Sequence, residues 1–211
     1  MSSRAKPVAV VLAGGRGRRL GGRDKAFVPL GARPLIAHVL TRLAPQASSV
    51  VISANGDPNR FAAFRLPVVG DPVAGHAGPL AGLLAGMEWT MAHAPDAKRI
   101  VTVAVDTPFI PSDLVSRLPG GTGGNRIAVA RTAGRLHKVI GLFPISLRES
   151  LAQFLAHSPS RRVGDWLEQI GFAAVDFDTE DGFDPFFNVN TPNDLAEAER
   201  HLSALQLHSP A

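Results

Sequence analysis

Short apolar runs alternate with stretches of helical periodicity along this chain, and that order limits the possible folds more than any other feature. The first run, Val8–Leu12, leads directly into a glycine-rich loop. A later run, Ile100–Val105, is apolar except for Thr102 and ends at Asp106. Such runs between helices are typical of βα units, in which parallel strands form the centre. We therefore predict an α/β fold with a mostly parallel central sheet and helices on both faces.

The same patterns locate the other elements. Strands are predicted at 49–53, 67–69, 126–131, 138–143 and 173–177, and helices at 34–44, 79–92, 111–118, 145–156, 163–170 and from 192 onward. The last helix has a start signal in which Thr191 is the N-cap, Pro192 the first helical residue and Asp194 the third. Neither an internal repeat nor a long linker divides the sequence, so we expect residues 1–211 to form a single domain.

Composition excludes several classes of protein. The 211 residues are 45% apolar and 19% charged, which is typical of globular domains. The absence of cysteine excludes disulfides and thiolate chemistry and agrees with a reducing cytoplasm. No run reaches the roughly 20 apolar residues of a membrane span, and the residues before Val8 do not form a signal peptide. We expect a cytoplasmic protein without a membrane partner.

The net charge of +4 is concentrated in one loop rather than along a basic face. The chain has two tryptophans, no tyrosine and no long lysine or arginine run. A small polyphosphate or acidic ligand accounts for a local basic cluster as well as a nucleic acid does. We therefore favour a small anionic ligand and expect no nucleic-acid partner.

The basic loop spans residues 12–25, LAGGRGRRLGGRDK, and contains five glycines and five basic side chains. Backbone N–H groups near Gly14 and Gly15 can approach an anion closely because no Cβ intervenes. Arginine forks and the point charge of Lys25 neutralise several negative charges at once, which suits a triphosphate. The alternative is a solvated loop whose arginines only keep the protein in solution.

Two common phosphate-binding motifs do not fit this loop. The dinucleotide motif G-x-G-x-x-G begins well at Gly15 but has Leu20 in place of its third glycine. The P-loop motif fits the spacing of Gly17 and Gly22, yet Arg23-Asp24 follows where lysine and a hydroxyl residue are required. The loop therefore belongs to neither class.

Three aspartates are candidates for ligand contacts. Asp106 follows a buried strand, at the edge where open α/β sheets bind ligands, and Mg²⁺ is commonly held by one or two carboxylates plus substrate phosphates. Its alternative role is to cap a helix. Asp71, within Gly-Asp-Pro, either contacts the ligand or forms an Asx-turn. Asp24 either contacts the ligand or only orients Lys25 or Arg19.

Four motifs occur in order along the chain: L-A-G-G-x-x-x-R-x-G-G-x-D-K at 12–25, GPLAG at 78–82, DTPFIP at 106–111 and FNVNTP at 187–192. With them the chain resembles the nucleotidyltransferases of molybdenum cofactor maturation over nearly its whole length. The guanylyltransferases of this family are the most similar, because the cytidylyltransferases resemble L-A-A-G where this chain has Leu12-Ala13-Gly14-Gly15. The opening loop alone is also similar to that of sugar-phosphate nucleotidyltransferases.

The resemblance implies a Rossmann-like nucleotidyltransferase fold and transfer of GMP from GTP to molybdopterin, with Mg²⁺ as cofactor and release of pyrophosphate. It also implies that the N-terminal part binds the nucleotide and the C-terminal part the pterin. Further partners would be molybdenum-insertion proteins and acceptor molybdoenzymes. The alternatives are a molybdenum cofactor cytidylyltransferase, a sugar-phosphate nucleotidyltransferase, or a nucleotide-sensing or nucleic-acid-binding module without catalysis.

Site residues follow from the same resemblance. Catalysis is expected from Arg19, Lys25 and Asp106, with Asp106 as the Mg²⁺ ligand. Nucleotide binding is expected from Leu12, Ala13, Gly14, Gly15, Lys25, Ser53, Asp71 and Asp106. Substrate contacts are expected from Arg161 and Arg162 on the pterin side and from Asn188 and Asn190 on the metal or pterin side, unless the asparagines bond loop backbone and the arginines form a solvated turn.

The chain departs from the family pattern at Ser53, which stands where the family has a nucleotide-contacting asparagine. Asn55 matches the family's second asparagine rather than replacing the first. Serine has less reach and one donor instead of two, so this contact is expected to be weaker. His137 lies near the pterin side by resemblance, and its alternative role is structural.

Overall fold

The structure of the chain is a computed structural model that describes residues 6–14, 16–17, 23–72, 78–121, 126–179 and 182–208. Gly15 and Arg19 lie outside these ranges, so their expected roles stay predictions. The strands are β1 (Val8–Leu12), β2 (Arg16–Gly17), β3 (Arg23–Asp24), β4 (Pro29–Leu30), β5 (Arg33–Pro34), β6 (Ser49–Ser53), β7 (Val68–Val69), β8 (Arg99–Ala104), β9 (Ile127–Thr132), β10 (Arg135–Pro144) and β11 (Phe172–Phe177). The α-helices are α1 (Leu35–Leu43), α2 (Pro79–His93), α3 (Leu114–Arg117), α4 (Arg148–His157), α5 (Val163–Ile170) and α6 (Pro192–His208).

Seven strands form one central sheet in the order β11-β9-β10-β8-β1-β6-β7. Strand β1 is parallel to both of its neighbours, β6 and β8, whereas β10 is antiparallel to β8 and β9. The chain first builds outward from β1 through β6 to β7, and then returns to place β8 on the other side of β1. This reversal is a topological switch point, where a crevice opens at the carboxyl ends of the strands.

Helices cover both faces of the sheet, and the alternating side chains of β1 divide between the two layers. Ala9 and Val11 belong to the core that α1 and α3 help to form. Val8 and Val10 belong to the core against α2, α4 and α5, which includes Trp166. All four β1 side chains are completely buried. The predicted α/β fold with a mostly parallel sheet is confirmed.

Two elements differ most from the sequence-based expectation. The helix predicted at 111–118 is reduced to α3, followed by a 3-10 turn, Leu118–Gly121, that contains Pro119, a residue that disfavours continuation of an α-helix. Strand β10 is longer than predicted, since it pairs with β9 through a two-residue turn at Ala133-Gly134. Both turn residues have positive φ, 47° and 79°, the geometry that favours tight hairpins.

The start of α6 is the predicted one. The backbone N–H of Asp194 donates to Thr191 Oγ1 at 3.2 Å, while Asp194 Oδ2 accepts from the N–H groups of Thr191 and Asn190. Ala198 of α6 is fully buried in a small core that also contains Val28. This packing joins the C-terminal helix to the segment that follows the basic loop. Within the described parts of the chain, no helix has the length and apolar character to cross a membrane.

Candidate active site

The carboxyl ends of the central strands lie side by side at the switch point. Leu12 is in register with Ser53 of β6 and with Ala104 of β8. The ladder continues one residue further, with the N–H of Ala13 bonded to the Ser53 carbonyl at 2.8 Å and the N–H of Val105 bonded to the Leu12 carbonyl at 3.0 Å. The loops after β1, β6 and β8 therefore begin from one rigid edge.

Gly14 is exposed at this edge, and a Cβ built on it would meet no atom of the described residues within 4 Å. Packing among those residues therefore does not require glycine at this position. The open space lies directly beyond β1, where the sequence predicts a close approach of backbone to phosphate. A glycine that the fold does not need is consistent with space kept for a ligand.

Lys25 joins two predicted site residues that are distant in the sequence. Its Nζ donates to Asp106 Oδ2 at 2.5 Å and also to Asn190 Oδ1, although 81 and 165 positions separate the partners. The side chains of Lys25 and Asp106 are only 12% and 17% exposed. The structure thus brings Lys25, Asp106 and Asn190 together at the switch point.

The second carboxylate oxygen of Asp106 is available to a ligand. Asp106 Oδ1 is buried and has no hydrogen-bond partner among the described residues. A buried acceptor of this kind is costly unless something binds it. The described residues include no group of three or more histidine, aspartate or glutamate side chains that could hold a metal. One carboxylate with a nearby amide oxygen matches the sparse protein ligation of Mg²⁺, which retains waters and substrate phosphates, so these residues fit that ion.

Backbone contacts fix the segment that carries Asn190. The N–H of the fully buried Val189 donates to the Asp106 carbonyl at 2.9 Å, and Asp194 Oδ2 accepts from the N–H of Asn190 at 2.9 Å. Burial raises the pKa of Asp194, but the donors from Asn190 and Thr191 and the charge of Lys25 outweigh it and lower that pKa overall. Asn188 lies two residues earlier and is half-buried. Asn190 is therefore held from both sides.

Asn55 and Asp71 form a closed pair beyond β6 and β7. Asn55 Nδ2 donates to Asp71 Oδ2 at 2.6 Å, and the Asp71 N–H donates to Asn55 Oδ1 at 2.8 Å. Asn55 is exposed and Asp71 is half-exposed, so both are accessible to a ligand. The sequence singled out both residues but did not predict that they bind each other. Their positions after neighbouring strands were the signal from which this pairing could have been inferred.

Ser53 occupies a different environment. It is 4% exposed, and a Cβ built on Gly82 of α2 would lie only 2.5 Å from its Oγ. Ser53 therefore packs beneath α2, where a longer side chain would push the helix away. Its predicted side-chain contact with a nucleotide gains no support from this position. The exposed amide in this strand-end segment is that of Asn55.

Arg161 and Arg162 are exposed in the turn between α4 and α5. The Arg161 guanidinium donates to backbone carbonyls of Ser158 and Ser160 in its own turn. Nearby, Lys138 of β10 lies against Gly164 of α5. Because β10 runs antiparallel to β8, its earlier residues extend toward the Asp106 end of the sheet. The arginines stay predicted substrate contacts.

His137 is a buried residue behind the segment that carries the asparagines. Its side chain is 3% exposed, its Nε2 lies 3.6 Å from Asp184 Oδ2, and its ring lies 4.8 Å from that of Phe186. Burial lowers the pKa of His137, Asp184 opposes that shift and Arg135 adds to it. This environment favours the structural interpretation of His137.

Comparison with known proteins adds to this geometry. Residues 9–170 match the family model described as MobA-like NTP transferase domain. A protein of Mesorhizobium japonicum named molybdenum cofactor guanylyltransferase is 48% identical over 200 residues, which cover 93% of this chain and 96% of that protein.

Solved structures agree with the fold. Molybdopterin-guanine dinucleotide biosynthesis protein A from Archaeoglobus fulgidus is 26% identical and matches with a TM-score of 0.71, covering 93% of this chain and 99% of that one. A Mycobacterium tuberculosis protein solved in complex with manganese is 18% identical and matches with a TM-score of 0.65, covering 94% of this chain and 100% of that one. The Rossmann-like nucleotidyltransferase fold expected from the sequence is confirmed.

Proposed function

The chain belongs to the family of MobA-like NTP transferases, and from this premise we propose that it transfers GMP from GTP to molybdopterin. The products are pyrophosphate and the guanine dinucleotide form of the molybdenum cofactor. Nucleotidyl transfer is the reaction class of the family. The choice of guanine and of molybdopterin is supported by the name of the similar Mesorhizobium protein and by the four sequence motifs.

The observation that carries the proposal is the convergence of Lys25, Asp106 and Asn190 on one point at the strand ends. A lysine ammonium is a compact charge suited to phosphate oxygens. The carboxylate beside it retains one buried oxygen without a partner among the described residues. Together these groups supply a cation and an anion at the edge where Gly14 leaves space for the triphosphate.

The chemistry requires positioning more than proton transfer. The terminal phosphate of molybdopterin is a monoester, largely ionised at neutral pH, so its oxygen needs no strong general base. This oxygen forms a bond to the α-phosphorus of GTP, while the bond from that phosphorus to the oxygen bridging to the β-phosphate breaks. The electron pair leaves with pyrophosphate. Stabilisation therefore comes from charges placed around the phosphates.

Each residue has a distinct task in this scheme. Lys25 donates to phosphate oxygens, the backbone of Leu12–Gly14 approaches the triphosphate, and Arg19 adds a second charge. Asp106 and Asn190 would hold Mg²⁺ through oxygen atoms. When bound, Mg²⁺ supplies charge neutralisation on the phosphates.

Recognition of the base is assigned to the pair beyond β6 and β7. Asp71 offers carboxylate oxygens to the N1–H and exocyclic amine of guanine, while Asn55 holds that carboxylate in place. Asn188, Arg161 and Arg162 contact the pterin substrate. Residues 1–211 act as one domain whose N-terminal part binds the nucleotide and whose C-terminal part binds the pterin. The protein works in the cytoplasm, between the molybdenum-insertion proteins and the acceptor molybdoenzymes.

Pyrophosphate release, measured with each of the four nucleoside triphosphates in the presence and absence of molybdopterin, tests the proposal. We expect release only with GTP and only when the pterin is present. Asp106→Ala should lower it by about tenfold or more, and Asp113→Ala, at an exposed aspartate, should leave it unchanged. Release with CTP would indicate a cytidylyltransferase. Release with a sugar phosphate in place of molybdopterin would indicate a sugar-phosphate nucleotidyltransferase, and no release would indicate a protein without catalytic activity.

A further inference from the structure

The short 3-10 helix Pro58–Phe64 packs against the segment that carries Lys25, and we propose that Arg60 in this helix is a positioning residue for Lys25 that acts through Asp24. The proposal rests on the proposed function in one respect, the use of Lys25 in phosphoryl chemistry. Arg60 was not among the residues that the sequence singled out.

The first contact is electrostatic. Arg60 Nε lies 2.9 Å from Asp24 Oδ2, and each side chain is 29% exposed. The other oxygen of the same carboxylate, Asp24 Oδ1, accepts from the N–H of Ala26 at 3.1 Å. Asp24 is thus the N-cap of the 3-10 turn Lys25–Phe27. One carboxylate joins Arg60 to the turn that carries Lys25.

The second contact is apolar and lies on the other side of Lys25. The ring of Phe27 is 5.2 Å from that of Phe61 and 6.4 Å from that of Phe64. Phe61 is almost completely buried, and the Arg60 guanidinium lies 4.7 Å from its ring centroid. Aromatic pairs at these separations add to the energy of burial.

These two contacts bracket Lys25, because the same helix holds residue 24 by charge and residue 27 by aromatic packing. Asp24 is also the last residue of β3, which pairs with β2. The contact between Arg60 and Asp24 therefore holds the end of the basic loop as well as the turn Lys25–Phe27. Lys25 contacts Asp106 and Asn190 from the first residue of the turn that Asp24 caps, so the placement of this turn bears on the placement of the ammonium. Catalysis by a point charge is sensitive to small misplacements.

Three variants test this role: Arg60→Ala, Asp24→Asn and the double variant. Asparagine at position 24 can still accept from the N–H of Ala26 but removes the negative charge that faces Arg60. Arg65→Ala is the matched control, since Arg65 is exposed at the end of the same helix. The measurements are kcat and KM for pyrophosphate release, together with hydrogen exchange of the Ala26 amide.

We expect Arg60→Ala and Asp24→Asn each to lower kcat about three- to tenfold, with KM for GTP changed less than about twofold. The kcat of the double variant should fall no further than that of the more affected single variant, because both substitutions break the same contact between Arg60 and Asp24. Arg60→Ala should accelerate exchange of the Ala26 amide, and Arg60→Lys should restore part of both readouts. Arg65→Ala should alter neither.

Other outcomes would overturn the proposal. If the losses of kcat from the two substitutions multiply in the double variant, Arg60 does not act through Asp24 but contacts the nucleotide itself. A raised KM for GTP with an unchanged kcat in Arg60→Ala would mean the same. Unchanged exchange at Ala26 would mean that Arg60 does not hold the turn. The exchange measurement needs no substrate, so it tests this role even if the acceptor or the nucleotide differs from molybdopterin or GTP.

Discussion

Lys25 Nζ lies 2.5 Å from Asp106 Oδ2, and this contact joins the basic loop after β1 to the loop after β8. The two loops flank the point where the order of the sheet reverses. The Lys25 ammonium, which can donate to phosphate, and the Asp106 carboxylate, which can bind a cation, are therefore hydrogen-bonded to each other at this point. Removing Lys25 takes away the cation that faces Asp106, and removing Asp106 takes away the carboxylate that faces Lys25.

We predict that Lys25→Ala and Asp106→Ala each lower guanylyl transfer by about tenfold or more, because each removes a charge that faces the reacting phosphates. Initial rates at saturating Mg-GTP and molybdopterin are the measurement. Lys98→Ala, at an exposed lysine, is the matched control for lost positive charge. Wild-type rates in both site variants would show that this pair is not the reaction centre.

The pair of Asn55 and Asp71 predicts an effect on nucleotide affinity rather than on chemistry. Asn55→Ala removes both side-chain bonds to Asp71 and releases its carboxylate. We expect KM for GTP to rise about tenfold with a smaller change in kcat, which is typical of lost uniform binding. Asn59→Ala, at an exposed asparagine a few residues on, should leave KM unchanged. An unaltered KM in Asn55→Ala would place guanine recognition elsewhere.

Helix α2 lies unusually close to the sheet at Gly86. A Cβ at this position would stand 2.5 Å from Val10 Cγ2, and Val10 is fully buried in β1 and unable to move aside. We predict that Gly86→Val lowers the free energy of unfolding by about 2 kcal/mol, the usual scale of overpacking. Urea denaturation measures this loss, and Ala92→Val, exposed on the same helix, is the control. A stability equal to that of the control would refute the close contact.

Much of the fold was predictable because strand runs such as Val8–Leu12 and the capping sequence at Thr191 are local signals. The same logic located Asp106, since a polar residue directly after a buried strand must lie at the sheet edge. Contacts between distant segments were not predictable in this way. Arg60 meets Asp24 only because two short 3-10 helices pack together, and no local pattern specifies that packing.

Ser53 illustrates the opposite case. The family resemblance implies a nucleotide contact at this position, but the direction of the side chain depends on how closely α2 approaches. Gly82 permits that approach and so buries the hydroxyl. The turn at Ala133-Gly134 was also missed, because alanine rarely adopts positive φ and so gives no turn signal.

The last prediction concerns pH and His137. Burial, as the largest cause, lowers its pKa below the ordinary value of 6.5 despite the attraction of Asp184, and Arg135 lowers it further. The unfolded chain therefore binds a proton near pH 6.5 that the folded chain does not. Stability should be complete above that pH and should decrease as pH falls, by up to about 1.4 kcal/mol per pH unit, until the folded-state pKa is reached.

Urea denaturation between pH 7.5 and 5 on His137→Gln should lack the part of this slope that comes from His137. His157→Gln replaces an exposed histidine and serves as the matched control. Each variant is compared with the wild type, because a single substitution leaves all other titrating residues in common. A slope in His137→Gln equal to that of the wild type would mean that His137 takes up its proton equally in the folded and unfolded states. In that case its burial behind the segment that carries Asn190 would not depress its pKa.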